Sequence, residues 1–341
     1  MTIRKLASIK KIDSIKEHTN ADALELAIIG GWQVVVKKDE FKVGDLCIFC
    51  EIDSILPPKP EFEFLKERNY RIKTIKLRGE LSQGLILPLS VLDRCDQIQI
   101  AYDADASLLD IDVTEKMSVT KYEKMDTEVG SPSAKGSYPP FLPKTDEQRL
   151  QSAMSLLNEM EGEECYITVK EDGSSFTAYL NDGVFGICSR NLERHLDGNT
   201  WANIAKQYSL EEKLREFEQN IAIQGEVTGD GIQGNRLELP KNTQQLHIFN
   251  IYNIDKARYL NYDVFMLTVQ QLGLTAVEII YRGPFKFTLE QLLEMSKGKY
   301  TGTNNHREGI VVRPCYEKFS EKLRGRLSFK IINNEYLLKE K

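Results

Sequence analysis

The hydrophobic pattern divides the chain into two parts with different periodicities. Up to about residue 115, short apolar or alternating segments are separated by turns, which predicts strands at 24–29, 32–36, 46–52, 71–77 and 84–89. About five short strands in about a hundred residues favour a small closed β-barrel. We interpret it as an OB-type barrel, although an SH3-like barrel would have much the same pattern.

The predicted strand 71–77 is strongly basic. Arg71, Lys73, Lys76 and Arg78 point outward in an alternating pattern whose parity changes in the middle, which predicts a β-bulge near Thr74. Because OB barrels bind nucleic acids through cationic side chains and stacked aromatics, this strand is the candidate binding face. The alternative is that these charges solvate an edge strand and protect it from aggregation.

The second part of the chain mixes helices with strands. Periodicity is lost over residues 116–140, and residues 130–140 are rich in glycine, serine and proline, so we predict domains at 1–120 and 141–341 joined by a linker at 121–140. Thr145 begins a predicted capped amphipathic helix that extends to about Leu157. Beyond it we expect strands at 165–170, 175–180, 184–188, 221–226, 246–252, 309–313 and 327–332, and helices at 201–217, 262–272 and 289–296.

Composition narrows the class of protein. The 341 residues are 41% hydrophobic and 28% charged, as in a water-soluble globular protein, and no apolar run is long enough to span a bilayer, so we expect no membrane partner. The N-terminus lacks the apolar segment of a secretory signal. Cys47 and Cys50 form one CxxC pair within an apolar strand and no second pair completes a zinc site, which predicts buried free thiols in a reducing, intracellular compartment, cytoplasmic or nuclear.

Charge is distributed unevenly. The formal net charge is −6, yet residues 66–78 and 313–330 are both rich in lysine and arginine. Either run alone is typical of a solvated face. Two such runs in an acidic protein indicate that a polyanion is bound locally rather than by bulk charge.

One short motif indicates covalent chemistry. Lys170 ends a β-rich segment and is followed by Glu171, Asp172 and Gly173. A lysine held at a strand end becomes a nucleophile when desolvation or a neighbouring cation lowers its pKa from about 10 toward neutrality. The alternative is a charged hairpin edge with an Asp-Gly turn.

Five further segments follow in a fixed order, and each brings a charged or aromatic side chain to a strand or a strand end. They are Ser189-Arg190-Asn191, Gln224-Gly225-Glu226, the segment 247–252 around Phe249, the segment 308–313 that begins with Glu308, and Ser328-Phe329-Lys330. This order resembles the covalent nucleotidyltransferase superfamily of ATP-dependent ligases and mRNA capping enzymes. Within it, the chain is similar to RNA ligases of the Naegleria type, which carry an OB-like domain before the transferase domain.

The resemblance implies an α+β fold, with an N-terminal OB-like barrel followed by an ATP-grasp-like nucleotidyltransferase domain of antiparallel sheets and flanking helices. It implies that Lys170 attacks the α-phosphate of ATP, and that Asp172, Glu226 and Glu308 hold Mg²⁺ or Mn²⁺ through water. Lys330 would contact the α-phosphate, which would also place a second cation near Lys170.

The remaining implied roles concern the nucleotide and the RNA. Phe249 would stack on adenine, and Arg190 would contact the sugar or an RNA phosphate. Arg149, expected on the helix before Lys170, would lie at the pyrophosphate end. Many ligases have another lysine where this chain has Ser328, so either Arg326 or Lys322 supplies that charge or Lys330 acts alone.

The expected activity is ATP-dependent RNA ligation by a monomer. A lysyl-AMP intermediate and an RNA-adenylate would lead to joining of RNA 3′-hydroxyl and 5′-phosphate ends, with the basic strand of the barrel contacting RNA. No OB domain is expected downstream of Lys330, in contrast to DNA ligases and capping enzymes. The alternatives are a DNA ligase, a capping-type nucleotidyltransferase, or a non-catalytic RNA-binding protein on a ligase fold. The glycine-rich segment 229–235 is interpreted as a loop over nucleotide or RNA, or as a plain hairpin loop.

Overall fold

A computed structural model describes residues 5–93, 108–122 and 133–339. The chain divides into two compact units, one formed by Met1–Met125 with Leu337–Lys341 and the other by Asp126–Tyr336. Of the described C-terminal residues, 337–339 group with the first unit.

The first unit is built from short antiparallel strands. Its strands are β1 Ala7–Lys11, β2 Ser14–Glu17, β3 Leu24–Ile29, β4 Trp32–Lys37, β5 Leu46–Cys50, β6 Ser54–Ile55, β7 Thr74–Leu77, β8 Glu80–Gln83, β9 Leu85–Pro88 and β10 Thr120–Lys121, with a 3-10 helix at Pro60–Arg68 and helix α1 at Ser90–Asp93. They pair in the orders β1-β5-β9, β2-β3-β4, β7-β8 and β10-β6. Trp32, Ile48, Phe49 and Phe62 are buried in the interior of this unit.

The predicted basic face of the barrel is not continuous. β7 begins only at Thr74 and pairs residue for residue with β8, so the parity change reflects a break before the strand instead of the predicted bulge. Arg71 is 6% exposed, forms a 2.8 Å ion pair with Asp53, and lies 3.5 Å from the centre of the Tyr122 ring. The prediction that all four basic residues share a binding face is therefore wrong for Arg71.

The other three basic residues differ in exposure. Lys76 and Arg78 are exposed, while Lys73 is half-buried. The exposed cations of the segment 71–78 therefore lie toward its C-terminal end.

The second unit contains two large sheets and a short two-stranded sheet that pairs Phe319–Ser320 with Gly325–Arg326. Its strands are β11 Ala134–Ser137, β12 Gln148–Arg149, β13 Glu164–Lys170, β14 Ser174–Asn181, β15 Val184–Cys188, β16 Leu192–Arg194, β17 Ile221–Gly229, β18 Gln244–Asn253, β19 Arg258–Tyr259, β20 Thr275–Ala276, β21 Ile279–Pro284, β22 Gly309–Pro314, β23 Phe319–Ser320, β24 Gly325–Arg326 and β25 Phe329–Ile332. Within the described ranges, the larger sheet has the order β11-β16-β15-β14-β17-β18-β19 with β20 beside β18, and the smaller has the order β12-β25-β22-β13-β21.

Helices cover one face of each sheet. They are α2 Leu156–Met160, α3 Thr200–Gln207, α4 Leu210–Arg215, α5 Tyr262–Gln271 and α6 Leu289–Ser296, together with a 3-10 helix at Leu150–Ser152; a further helix, α7 Asn334–Lys339, follows β25. Ile204, Leu214 and Phe265 of α3, α4 and α5 pack on the larger sheet, whereas Leu156 and Leu292 of α2 and α6 pack on the smaller one. Burial of these apolar faces leaves the opposite, more polar faces of the sheets for the site described below.

Two predicted segments differ from the structure. The helix predicted from Thr145 is replaced by β12, which pairs in parallel with β25, and only Leu156–Met160 is α-helical there. Within the predicted linker 121–140, Ala134–Ser137 forms β11 on the edge of the larger sheet. Backbone pairing with a neighbouring strand satisfies the amide groups of both segments, so tertiary contacts override the local pattern.

Across the described ranges, the helices are all too short or too polar to cross a membrane.

Candidate active site

Lys170 lies where the chain passes from one sheet to the other. β13, which ends at Lys170, pairs with β21 and β22, whereas β14, which begins at Ser174, pairs with β15 and β17. The turn is therefore a crossover between sheets, and the hairpin alternative is wrong. A Cβ on Gly173 would lie 2.4 Å from the Val227 carbonyl oxygen, so the close approach of β17 requires glycine there.

Glu308 faces Lys170 across the smaller sheet. Lys170 pairs with Gly309 at the end of the β13–β22 ladder, which puts Glu308 directly beside the lysine. The Lys170 Nζ donates to Glu308 Oε2 at 2.6 Å. Gly309 is required because a Cβ there would lie 2.1 Å from the Ile331 carbonyl oxygen of β25.

The charges around Lys170 reverse one expectation. Burial lowers the pKa of Lys170, but the carboxylates of Glu308, Glu226 and Asp172 together outweigh it, so the pKa lies above its ordinary value. The sequence predicted a lowered pKa for the nucleophile, whereas the pKa of Lys170 is raised.

The pKa of Glu226 is also shifted by its surroundings. It lies half-buried on β17, and burial raises its pKa to about 8 against the attraction of Lys170, with Glu308, Glu171 and Asp172 adding to the rise. Several carboxylates in one small space cannot all ionise at little cost without a cation among them.

The lysine with a lowered pKa is Lys330. It lies on β25, opposite Val311 of β22 and beside Arg149 of β12. Burial lowers the pKa of Lys330 to about 7, with Lys170 and Arg149 contributing by like-charge repulsion. Arg149 was expected on a helix; it lies instead on a strand next to Lys330.

The structure also shows what surrounds Ser328. Its side chain is 2% exposed and its hydroxyl donates to the Val312 carbonyl. Arg326 is held elsewhere: it binds Asn250 Oδ1 at 2.7 Å, pairs with Glu317, and lies over the Tyr259 ring. Lys322 is exposed. The cation paired with Lys330 across the strands is therefore Arg149, and not either of the two candidates for the missing lysine, Arg326 and Lys322.

Phe249 lies at a β-bulge in the larger sheet. The β17–β18 register shifts at Gln224/Gly225, so that Gln224 pairs with Asn250 and Gly225 with Ile248, leaving Phe249 as the extra residue. Such bulges re-aim side chains next to active sites. The Phe249 ring is half-buried, and the guanidinium of Arg313, itself 3% exposed, lies 5.9 Å from its centre.

Arg190 and the glycine-rich loop lie at the margin of the site. Arg190 follows β15 and is exposed, with its guanidinium 2.6 Å from Asp146 Oδ1. The loop after β17 brings Arg236 to the lysine turn, with its Nε 3.4 Å from Asp172 Oδ2. Arg236 was not singled out from the sequence; it directly follows the glycine-rich segment 229–235.

Two contacts were missed by sequence reasoning. His247 Nδ1 lies 2.8 and 2.9 Å from the two carboxylate oxygens of Glu171 and so ties the lysine turn to β18. The Tyr300 hydroxyl binds backbone groups of Lys170, Asp172 and Glu308. Burial raises the pKa of Tyr300, which keeps this hydroxyl protonated. His247 lies within one of the six ordered segments, whereas nothing in the sequence marks Tyr300.

The donor set fits a divalent cation held mainly through water. Asp172, Glu226 and Glu308 offer only carboxylate oxygens, which are the ligands that Mg²⁺ and Mn²⁺ prefer. In the described part of the chain, His, Cys, Asp and Glu side chains do not converge in threes on one point with direct-ligation geometry. Burial is the largest cause of the raised pKa of Glu226, and the smaller contributions of Glu308, Glu171 and Asp172 are ones that a cation among them would offset.

Comparison with known proteins gives the same two-part division. Residues 6–89 match a family model described as an OB-fold domain, and residues 163–332 match the model of the RNA ligase family. The OB-type interpretation of the first unit is thereby confirmed. No curated protein matches the chain.

Solved structures of Naegleria gruberi RNA ligase match nearly the whole chain. One, a mutant with ATP and Mn, is 34% identical over 98% of this chain and 99% of its own, with a TM-score of 0.87. The same ligase with PPi is 35% identical over 99% of both chains, with a TM-score of 0.85. Since both the RNA ligase model and full-length structures of an RNA ligase match it, this chain belongs to the RNA ligase family.

Proposed function

We propose that this RNA ligase uses ATP and a divalent cation to join RNA 3′-hydroxyl and 5′-phosphate ends, and that Lys170 carries the AMP. The observation that carries the proposal is the contact of Lys170 Nζ with Glu308 Oε2, 2.6 Å apart, within a cluster of charged groups that includes Asp172, Glu226 and Lys330. The Naegleria ligase structures with ATP and Mn, with AMP and Mn and with PPi support the choice of nucleotide and metal.

In the first step, the Lys170 Nζ forms a bond to the α-phosphorus of ATP while the bond to the leaving pyrophosphate breaks. The amine must first lose a proton to the surrounding water, and Glu308 opposes this loss by favouring the charged form. A bound Mg²⁺ or Mn²⁺ would supply positive charge that neutralises the phosphates and offsets the carboxylates around the lysine. The adjacent cation Lys330 then favours the neutral amine.

Other residues hold the nucleotide for this attack. The half-buried ring of Phe249 offers a rigid face on which adenine stacks. Lys330 and Arg149, neighbours on β25 and β12, face the phosphates at the α end and the pyrophosphate end. Arg190 lies at the exposed margin of the site. It contacts the sugar or an RNA phosphate after its ion pair with Asp146 has broken.

Two further transfers complete the reaction. The 5′-phosphate of RNA displaces Lys170 from the AMP phosphorus and forms an RNA-adenylate. The 3′-hydroxyl then attacks the 5′-phosphorus, and AMP leaves. We propose that the exposed Lys76 and Arg78 of the first unit contact the RNA backbone, and that the enzyme acts as a monomer.

The end chemistry is tested with matched RNA strands. Strands with 3′-hydroxyl and 5′-phosphate should be joined with ATP and Mg²⁺ or Mn²⁺, whereas strands with 3′-phosphate and 5′-hydroxyl ends should remain separate. The same strands made of DNA, and reactions with GTP in place of ATP, test the DNA ligase and capping-type alternatives. Joining of the 3′-phosphate strands, or equal joining of DNA, would contradict the proposal.

A further inference from the structure

Tyr300 makes an unusual set of hydrogen bonds for a single side chain. Its ring is 5% exposed, in a segment closed by the Lys299–His306 bridge and by the Tyr300 amide bonding to the Asn305 carbonyl. Its hydroxyl accepts from the Asp172 amide at 2.8 Å and from the Glu308 amide at 3.0 Å, and it donates to the Lys170 carbonyl at 3.1 Å. One donor and two acceptor positions are the full capacity of a tyrosine hydroxyl.

These three bonds lie where backbone pairing ends. The β13–β22 ladder finishes with Lys170 opposite Gly309, and beyond that point the first chain turns into the larger sheet. The ladder ends before Asp172 and Glu308, and the amides of these two residues donate to the Tyr300 hydroxyl. A buried backbone amide left without an acceptor is costly, so the bonds constrain both segments.

We propose that Tyr300 is a positioning residue for adenylyl transfer, whose hydroxyl keeps the backbone of Lys170, Asp172 and Glu308 in fixed register. The three side chains involved are the nucleophile and two carboxylates assigned to the metal, so this role rests on the proposed function. Tyr300 itself does not reach the reacting atoms through these bonds. It acts because a displacement of about 1 Å between nucleophile and partner can lower a rate about a hundredfold.

The decisive variant is Tyr300→Phe, which removes the hydroxyl and keeps the buried ring. At saturating ATP and Mn²⁺, the single-turnover rate constant for AMP transfer to Lys170 should fall about 10- to 100-fold. The fraction of enzyme labelled at the end of the reaction should match the wild type. A purely structural role would give the opposite result, a smaller labelled fraction with an unchanged rate constant.

Tyr281→Phe is the matched control. Its hydroxyl also donates to a backbone carbonyl, that of Pro284 at 2.8 Å, but at an exposed edge of the same sheet. This variant should keep both the rate constant and the labelled fraction of the wild type. A rate loss equal to that of Tyr300→Phe would overturn the proposal, because loss of any tyrosine hydroxyl would then have the same effect.

Hydrogen exchange gives a second readout that does not depend on activity. The amide protons of Asp172 and Glu308 should exchange slowly in the wild type and faster in Tyr300→Phe, while amides within β14 should be unchanged. Wild-type exchange or a wild-type rate constant in Tyr300→Phe would overturn the positioning role. Absence of label in the wild type would overturn the proposed function, and with it the role that rests on it.

Discussion

Between pH 4.5 and about 8, the Glu226 carboxyl is protonated in the folded protein and ionised in the unfolded chain. Its pKa is raised from 4.5 to about 8 by burial, reduced by Lys170 and increased by Glu308. The protonated carboxyl therefore favours folding at low pH, and this contribution is lost as the pH rises from 4.5 through about 8. Glu226→Gln should resemble the wild type in its free energy of unfolding near pH 5 and exceed it at pH 9.

Denaturant unfolding of the ligand-free protein at the two pH values measures this difference. Glu212→Gln, which changes an exposed carboxylate on α4, is the control and should show no such trend. An equal effect of Glu226→Gln at both pH values would mean that the Glu226 pKa is not raised by folding.

Lys330 should show the opposite trend. Burial, Lys170 and Arg149 lower its pKa from 10.5 to about 7, so the charged form opposes folding. This penalty is complete below pH 7 and disappears as the pH rises toward 10.5. Lys330→Met should therefore stabilise the ligand-free protein at pH 6.5 and have little effect near pH 10, as measured by unfolding.

The matching control for Lys330 is Lys206→Met on the exposed side of α3. Stabilisation that grows with pH would contradict the assignment of the lowered pKa to Lys330.

At the level of residues, the sequence motifs that end strands identify side chains that lie close together in the structure. Lys170, Glu226, Glu308 and Lys330 were identified from the sequence, and the structure brings them together. The raised pKa of Lys170 was not predictable, because it depends mainly on Glu308 and Glu226, two carboxylates that are distant in sequence. Tyr300 was not found because its role rests on a hydroxyl reaching backbone groups, and backbone contacts leave no residue pattern.

At the scale of elements, the Glu171–His247 contact ties the turn between β13 and β14 to β18 of the larger sheet. Glu171 is 8% exposed, and because a carboxylate only accepts, the imidazole donates to it. His247→Ala would leave this buried carboxylate without its donor and lower the free energy of unfolding by about 1–3 kcal/mol. ATP affinity should also fall, because β18 carries Phe249 two residues later.

Unfolding and ATP titration together test this link, with His195→Ala at an exposed position as the control. A double-mutant cycle with Glu171→Gln should be non-additive, since the two side chains act as a pair. Strictly additive effects would show that the contact contributes nothing by itself.

Elements with a strong local pattern were predicted well. α6 was predicted at its observed bounds, and its Thr288–Gln291 capping box explains why it begins where it does. β1 was not predicted because only Ile9 distinguishes Ala7–Lys11 as a strand, and its burial comes from pairing with β5. β12 and the Phe249 bulge are likewise set by partner strands, which the local sequence does not contain.

At the scale of the whole molecule, the OB-fold unit raises the question of RNA binding. Lys76 and Arg78 are exposed, whereas Arg71 is committed to its ion pair with Asp53. Lys76→Ala combined with Arg78→Ala should weaken RNA binding and reduce the slope of log K against log salt by about 1–2, since up to two fewer counterions are released.

Fluorescence titration of labelled RNA over a range of salt concentrations measures that slope. Lys37→Ala with Lys38→Ala removes the same charge from the end of β4 and should change the slope less. An unchanged slope in the Lys76 and Arg78 variant would show that these charges only solvate the strand.

The central claim is that Lys170 becomes covalently attached to AMP, and peptide mapping tests it most directly. The wild type is incubated with ATP and Mn²⁺, denatured, digested, and the adenylylated residue is identified by mass spectrometry. We expect one AMP per chain, on the peptide that contains Lys170, and none in Lys170→Ala, whose folding should be unchanged. AMP attached to another residue, or no attachment in the folded wild type, would contradict the assignment of Lys170 as the nucleophile.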